Sequence, residues 1–240
     1  MKKVEYQYAK KFFIGYSDVD KNDKCKLSKI IDLLQNTATM HSKSVGYGTR
    51  EMMNLKQAWL MLGWKVRILK YPEADMDVEV RTWSRGIKSV EAKRGYEIFS
   101  EEGELLIIAD STWALFDLEQ QKLIRAPEEM KNAYGTIERN MFEGEKIEKL
   151  RDNGVIENQL TLSVGKRDID TNNHMNNSKY LEYITEVIPD NLNVNEFECV
   201  YRKQVGLGEE INISYGDGIC RITNSNNELS VRLFRMTVVL

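Results

Sequence analysis

Ile14–Leu34 reads IGYSDVDKNDKCKLSKIIDLL, and Val164–Ile184 reads VGKRDIDTNNHMNNSKYLEYI. Without a gap, Gly15 falls on Gly165, Asp18 on Asp168, Asp20 on Asp170, Asn22 on Asn172, and Ser28-Lys29 on Ser178-Lys179. Ile14/Val164, Val19/Ile169, Ile31/Leu181 and Asp32/Glu182 are conservative pairs. The spacing predicts one structural unit present twice. The period far exceeds the roughly 20 to 50 residues of a solenoid repeat, which makes this a duplicated domain.

Around the first copy, Leu27, Ile30, Ile31, Leu34, Ala38, His41 and Val45 recur at helical spacing, and Gly46 suits the C-terminal cap. His41 lies near that apolar stripe, where a hydrogen-bonded core histidine is the expectation. Strand-like runs follow from Gln57, Met76, Ser89 and Glu104, rich in Val, Ile, Trp, Tyr and Phe and broken by Pro72, Gly86 and Gly103. A strand, a helix and then successive strands, with no helix between them, predicts α+β: a helix packed on one face of an antiparallel sheet. The chain turns polar from about Ala133 to Asn158, with EGEKIEKLRDNG at its centre, and the domain connection is expected there. The order then repeats. Asn177 is the expected N-cap of a helix over Ser178–Ile188 stopped by Pro189, and strands are expected at Phe197–Lys203, Ile211–Tyr215, Gly218–Thr223 and Leu229–Val239.

The chain has 240 residues, 42% of them hydrophobic, enough for a proper core. A net charge of −3 supplies no electrostatic reason to expect DNA or RNA as partner. Cys25, Cys199 and Cys220 form no C-x-x-C pair and are expected as reduced packing residues. Only two histidines are present, which excludes a histidine-rich metal site. The lysine-bearing N-terminus lacks the apolar stretch of a signal peptide, and no segment approaches the roughly 18 apolar residues of a membrane span. These features read as a cytoplasmic protein.

Asp168, Asp170 and Asn172 have the spacing of the first three ligands of an EF-hand loop. Counted from Asp168, however, Asn173 stands where the turn needs Gly and Lys179 where the bidentate Glu belongs. Neither calcium nor any other metal is expected. If the loop is extended, Asp170, Asn172 and His174 share a face, with Ile169 and Met175 on the other. A carboxylate, an amide and an imidazole supply a base or nucleophile, an orienting group and a proton shuttle or carbonyl polariser. The N-terminus of the following helix adds backbone donors for an oxyanion. The first copy keeps Asp20 and Asn22 but places Lys24 where the second has His174, and a protonated lysine shuttles no protons near neutral pH. The shared residues are therefore expected to shape both loops through Asx-type turns, with His174 making a site of the second alone.

The doubled unit, together with DIDTNNHMNNSKYLEYI, WLMLGWKVRI, STWALFDLEQQKLIRAP and VYRKQ, resembles the acyl-acyl carrier protein (acyl-ACP) thioesterases of plants and bacteria along nearly the whole chain. The resemblance implies a double hot-dog fold, with domains at residues 1–133 and 158–240 joined by a linker over 134–157. It implies hydrolysis of the thioester between a fatty acyl chain and the phosphopantetheine arm of acyl carrier protein, in fatty acid biosynthesis and without a cofactor. The family's site falls on Asp170, Asn172 and His174, with a carboxylate expected shortly after the Y-R-K segment. Here Gln204 occupies that place and Val205 stands where many members carry Cys. Glutamine positions a water but cannot take its proton, which leaves Asp170 as base or nucleophile. The missing thiol argues against a papain-like Cys-His mechanism.

The resemblance also implies that the acyl chain lies in the N-terminal half, where Trp59, Met61, Met52 and Met53 are candidate lining, although core is the commoner fate of such residues. Acidic acyl carrier protein calls for a basic entrance, with Lys65, Arg67, Lys88, Lys93, Arg94, Arg202 and Lys203 as candidates. Hot-dog hydratases carry D-x-N-P-x-H, whereas Asp170–His174 lacks the proline and is one residue shorter. An acyl-CoA thioesterase and a non-catalytic acyl-binding protein are the alternatives, and pairing into a homodimer stays open.

Overall fold

A computed structural model describes residues 7–143, 145, 154–170, 173–226 and 228–234. Most of the charged connection segment, the chain beyond 234, and Asn172 therefore lie outside the described residues. The chain forms two compact units, one of Met1–Cys25, Asp32–Leu62 and Ile68–Glu145, the other of Lys26–Ile31, Gly63–Arg67 and Lys146–Leu240.

The first unit contains β1 (Tyr8–Phe13), α1 (Leu27–Ser44), α2 (Thr49–Asn54), β2 (Gln57–Ile68), β3 (Asp77–Lys88), β4 (Glu91–Ser100), β5 (Leu105–Asp117), the short β6 (Lys122–Leu123) and α3 (Glu128–Tyr134). Its strand order is β1-β3-β4-β5-β2, and β1, β3, β4 and β5 pair antiparallel. Alternation sorts the side chains. Thr82, Ser84, Arg94 and Tyr96 share one face, while Trp83 and Glu97 occupy the other. On the first face α1 brings His41 onto Arg94, and Leu34 and Ala38 of the helical stripe read from sequence are buried. On the second face Trp83 lies over Gly95, where a Cβ would come within 2.6 Å of the indole. Arg139 covers that pair, its guanidinium stacking on Trp83 and its charge closing on buried Glu97. Residues 137–139 thus pack on this sheet, and the Ile137 amide donates to the Ser84 carbonyl at 2.9 Å.

Two short helices, α2 and α3, were not expected. They build an apolar cluster of Met52, Leu115, Ala126, Met130 and Tyr134, with Trp59 packed against it. The expected lining residues divide accordingly: Met52 and Met61 are buried and Trp59 is partly buried, whereas Met53 is exposed. Gly46 takes the left-handed conformation (φ +86°) just beyond α1, as a C-terminal cap requires.

The second unit contains β7 (Asn158–Ser163), α4 (Asn177–Thr185), β8 (Glu196–Tyr201), β9 (Glu210–Gly216), β10 (Ile219–Asn224) and β11 (Leu229–Phe234). Its order is β8-β11-β10-β9-β7, all antiparallel, and its Gly63–Arg67 segment pairs with β8. A side chain at Gly63 would strike the Cys199 carbonyl oxygen at 2.7 Å, so glycine permits that pairing. The N-cap of α4 is Asn176 rather than Asn177: its side-chain oxygen accepts from the Ser178 amide at 3.1 Å. The helix ends at Thr185, three residues short of the span read from the apolar positions. All three cysteines are buried thiols outside any disulfide. Among the described residues no helix is long and apolar enough to cross a membrane.

Candidate active site

The two loops of the repeat share several hydrogen bonds at matched positions. In the first, the Asp18 carboxylate accepts from the Gly15 amide at 3.0 Å; in the second, Asp168 accepts from Gly165 at 2.8 Å. Val19 bridges to Cys25, and Ile169 to Met175. The Asp20 amide donates to the Lys24 carbonyl at 2.8 Å, matched by Asp170 to His174 at 2.9 Å. Asp23 and Asn173 both adopt positive φ, 62° and 63°, a region that Asp and Asn tolerate better than most residues.

The loop is therefore not extended, and the turn expected of the shared residues is present in the first copy. Each segment closes into a tight turn, so alternation does not decide which side chains meet. The aspartate at the turn stabilises it. Asp20 Oδ1 accepts from the amides of Asn22 (2.8 Å) and Lys24 (3.0 Å), while Asp170 Oδ1 lies 3.5 Å from the His174 amide, at the long limit of a hydrogen bond. The turn therefore brings Asp170 and His174 together through the backbone. Asn172 lies outside the described residues.

His174 is half-buried, and its Nδ1 is sealed from solvent with no hydrogen-bond partner among the described residues. An unsatisfied buried ring nitrogen is costly and is a recognised mark of a catalytic position. The helix N-terminus behind it is less available than the sequence suggested. Asn176 already takes the Ser178 amide through its side chain and the Lys179 amide through its carbonyl at 2.9 Å.

A second segment is fixed against this turn. The Met175 amide donates to the Val205 carbonyl at 2.8 Å, and the Val205 backbone amide in turn donates to the Tyr180 hydroxyl oxygen. The Tyr201 hydroxyl donates to the Asn177 carbonyl at 3.1 Å, and the two tyrosine rings meet edge to face at 5.8 Å. Burial raises both phenol pKa values well above the ordinary range, so both remain protonated. Gln204 is exposed and adjacent to Val205, the residue whose carbonyl takes the Met175 amide next to His174. Sequence reasoning placed Gln204 here only by resemblance and missed the positioning roles of Tyr180 and Tyr201. Their signal was a tyrosine just after the polar motif and another opening the Y-R-K segment, which read equally as core.

The cation candidates fare unevenly. Lys65 and Arg67 are engaged by Glu196 and Glu198, Lys93 by Glu91 and Lys203 by Glu228. Arg94 is 7% exposed and no part of a surface. Lys88 and Arg202 are exposed.

Two family models match the chain: the acyl-ACP thioesterase N-terminal domain over residues 5–134 and the acyl-ACP thioesterase C-terminal domain over residues 152–237. The chain belongs to the acyl-ACP thioesterase family. Among curated members, oleoyl-acyl carrier protein thioesterase 2 of Arabidopsis thaliana is 26% identical over 78% of this chain and 55% of its own length. Palmitoyl-acyl carrier protein thioesterase of Gossypium hirsutum is 24% identical over 94% of this chain and 57% of its own. This chain thus spans somewhat over half of those relatives, both of which are described as chloroplastic. Two solved members share its fold: an acyl-ACP thioesterase from Bacteroides thetaiotaomicron (TM-score 0.83, 20% identity, 94% of this chain and 95% of that one) and the 12:0-ACP thioesterase from Umbellularia californica (TM-score 0.80, 21% identity, the same coverages). The fold is α+β, the double hot-dog of this family.

Proposed function

We propose that the protein hydrolyses the thioester of fatty acyl-acyl carrier protein, releasing free fatty acid and holo-carrier in fatty acid biosynthesis, in the cytoplasm. One observation carries the reading. Two loops that share their matched backbone hydrogen bonds differ in that the second has His174 in place of a lysine, and its buried Nδ1 lacks a partner among the described residues. The shared aspartate explains the turn; the imidazole is what the second turn adds.

In this reading Asp170 takes the proton of the attacking water, or attacks as nucleophile itself, and Asn172 orients it or the substrate. His174 polarises the thioester carbonyl and returns a proton to the departing thiolate of phosphopantetheine. Gln204 positions the water through its amide and accepts no proton. Residues 158–240 carry this chemistry, and the N-terminal domain takes the acyl chain along its helix and sheet. Gln204 in place of a carboxylate favours a second reading, an acyl-binding protein without turnover.

Turnover by the wild type separates the two, and His174→Ala tests the site. The variant is expected to fold, to bind acyl-carrier and to lose about a hundredfold or more in kcat, the usual scale for a lost acid-base group. Wild-type turnover that survives the substitution removes His174 from the mechanism.

A further inference from the structure

Arg94 projects from the middle of β4 toward α1, inside the N-terminal unit, and is 7% exposed. Its Nη1 donates to His41 Nδ1 at 2.7 Å and to Thr82 Oγ1 at 3.3 Å. A guanidinium only donates, so His41 Nδ1 accepts and the ring proton sits on Nε2. Burial, and then the Arg94 charge, lower the His41 pKa to about 3, so the imidazole is neutral and brings no counter-charge. Among the described residues no carboxylate pairs with Arg94. Glu97 and Asp110 are the neighbouring acids in the sheet; they project from the opposite face and are held by Arg139 and Arg85. The Nε–H and both Nη2–H donors of Arg94 have no protein partner among the described residues.

A buried guanidinium without an anion opposes folding, and a planar fork of free donors matches a carboxylate. The surroundings also specify what the carboxylate is attached to. The Tyr134 ring lies 5.8 Å from the Arg94 guanidinium and edge-on to His41, and it is also a member of the apolar cluster with Met52, Leu115 and Met130. Its hydroxyl is tied to Ser42 and Trp59, which fixes the ring between the charged and apolar regions.

We infer that Arg94 and Thr82, with Tyr134 as the apolar boundary, form a site for a carboxylate borne on an alkyl chain. Two sources share that chemistry: the far-end carboxylate of a doubly acidic acyl group still attached to its carrier, and the head group of a released fatty acid. The first rests on the reading above that this domain takes the acyl chain. The binding test does not depend on it.

The full-length chain is titrated with decanoate and with 1-decanol by calorimetry and by Trp fluorescence, Trp59 being bonded to Tyr134. Decanoate is expected to bind at least about tenfold more tightly than the alcohol, the equivalent of one charge-assisted contact. Arg94→Met is expected to abolish that preference, and Arg94→Lys to keep part of it. Without ligand, Arg94→Met is expected to melt no lower than the wild type, because it removes an uncompensated buried charge; a marked fall would make Arg94 a structural strut and overturn the site. Should the variant fail to fold, the wild-type ratio decides alone: equal affinities for acid and alcohol overturn the inference. Carriers loaded with decanoyl or its ω-carboxylated counterpart assign the source. Faster cleavage of the diacid, lost in Arg94→Met, identifies substrate; equal cleavage with decanoate inhibition relieved by Arg94→Met identifies product. If no carrier is cleaved yet the decanoate preference persists and depends on Arg94, the thioesterase reading fails and the carboxylate site stands.

Discussion

Acidification should destabilise this protein well before its carboxylates titrate, and His41 is the cause. The ring is 2% exposed, with Arg94 facing it from β4, Tyr8 stacked on it from β1 and Tyr134 edge-on from α3. Every neighbour is neutral or cationic, so protonation in place would bury two adjacent positive charges. The folded pKa of about 3 lies below the unfolded value of 6.5, so the unfolded chain takes the proton first. The stability from neutral His41 is full above about pH 6.5 and is lost as pH falls toward 3. Each pH unit in that window is worth about 1.4 kcal/mol, so lowering the pH to 5 costs about 2 kcal/mol while most carboxylates remain ionised. Urea unfolding at pH 7, 6 and 5 measures the loss, with His41→Gln as control, because glutamine still accepts from Arg94 and does not titrate. The stability of the variant relative to the wild type should rise by about 2 kcal/mol as pH falls from about 7 to about 5. Parallel slopes would refute the reasoning, since His174 is present in both and cancels.

Three further outcomes follow from particular contacts. Asp20→Ala should cost about 1 kcal/mol by releasing two loop amides, with hydrolysis unchanged; loss of turnover at native stability would give the first loop a catalytic role. Gln204→Glu should raise kcat by about tenfold or more by adding a proton acceptor for the water, and an unchanged rate in stopped-flow thiol release would leave proton transfer to Asp170 alone. Gly95→Ala should cost about 1–3 kcal/mol because its Cβ meets the Trp83 indole; an unshifted thermal midpoint would show that Trp83 moves freely.

The duplication was legible in the sequence because the turn needs the same atoms in the same places twice. Asp18 and Asp168 cap their own glycine amides, and Asp20 and Asp170 close turns on Lys24 and His174. Helix α1 was legible for a similar reason, a single unbroken apolar stripe with a glycine beyond it. The closed shape of the loop was legible only in part: Asp20 makes the expected Asx-type contact, but the positive φ at Asn173 that breaks alternation carries no sequence signal beyond the residue type. Helices α2 and α3 have six and seven residues, too few for a periodic signal to exceed chance. Arg94 was the most misleading residue. A strand arginine between Lys93 and Gly95 reads as solvated surface, and only the partner strand and α1 reveal that its side chain turns inward.

The most direct measurement is intact-protein mass spectrometry of acyl carrier proteins loaded with a range of chain lengths, before and after incubation with the purified protein, alongside the matching acyl-CoA esters. The account predicts conversion to holo-carrier and free fatty acid, faster than cleavage of the CoA esters and dependent on His174. Carriers that bind yet keep their acyl groups would contradict it.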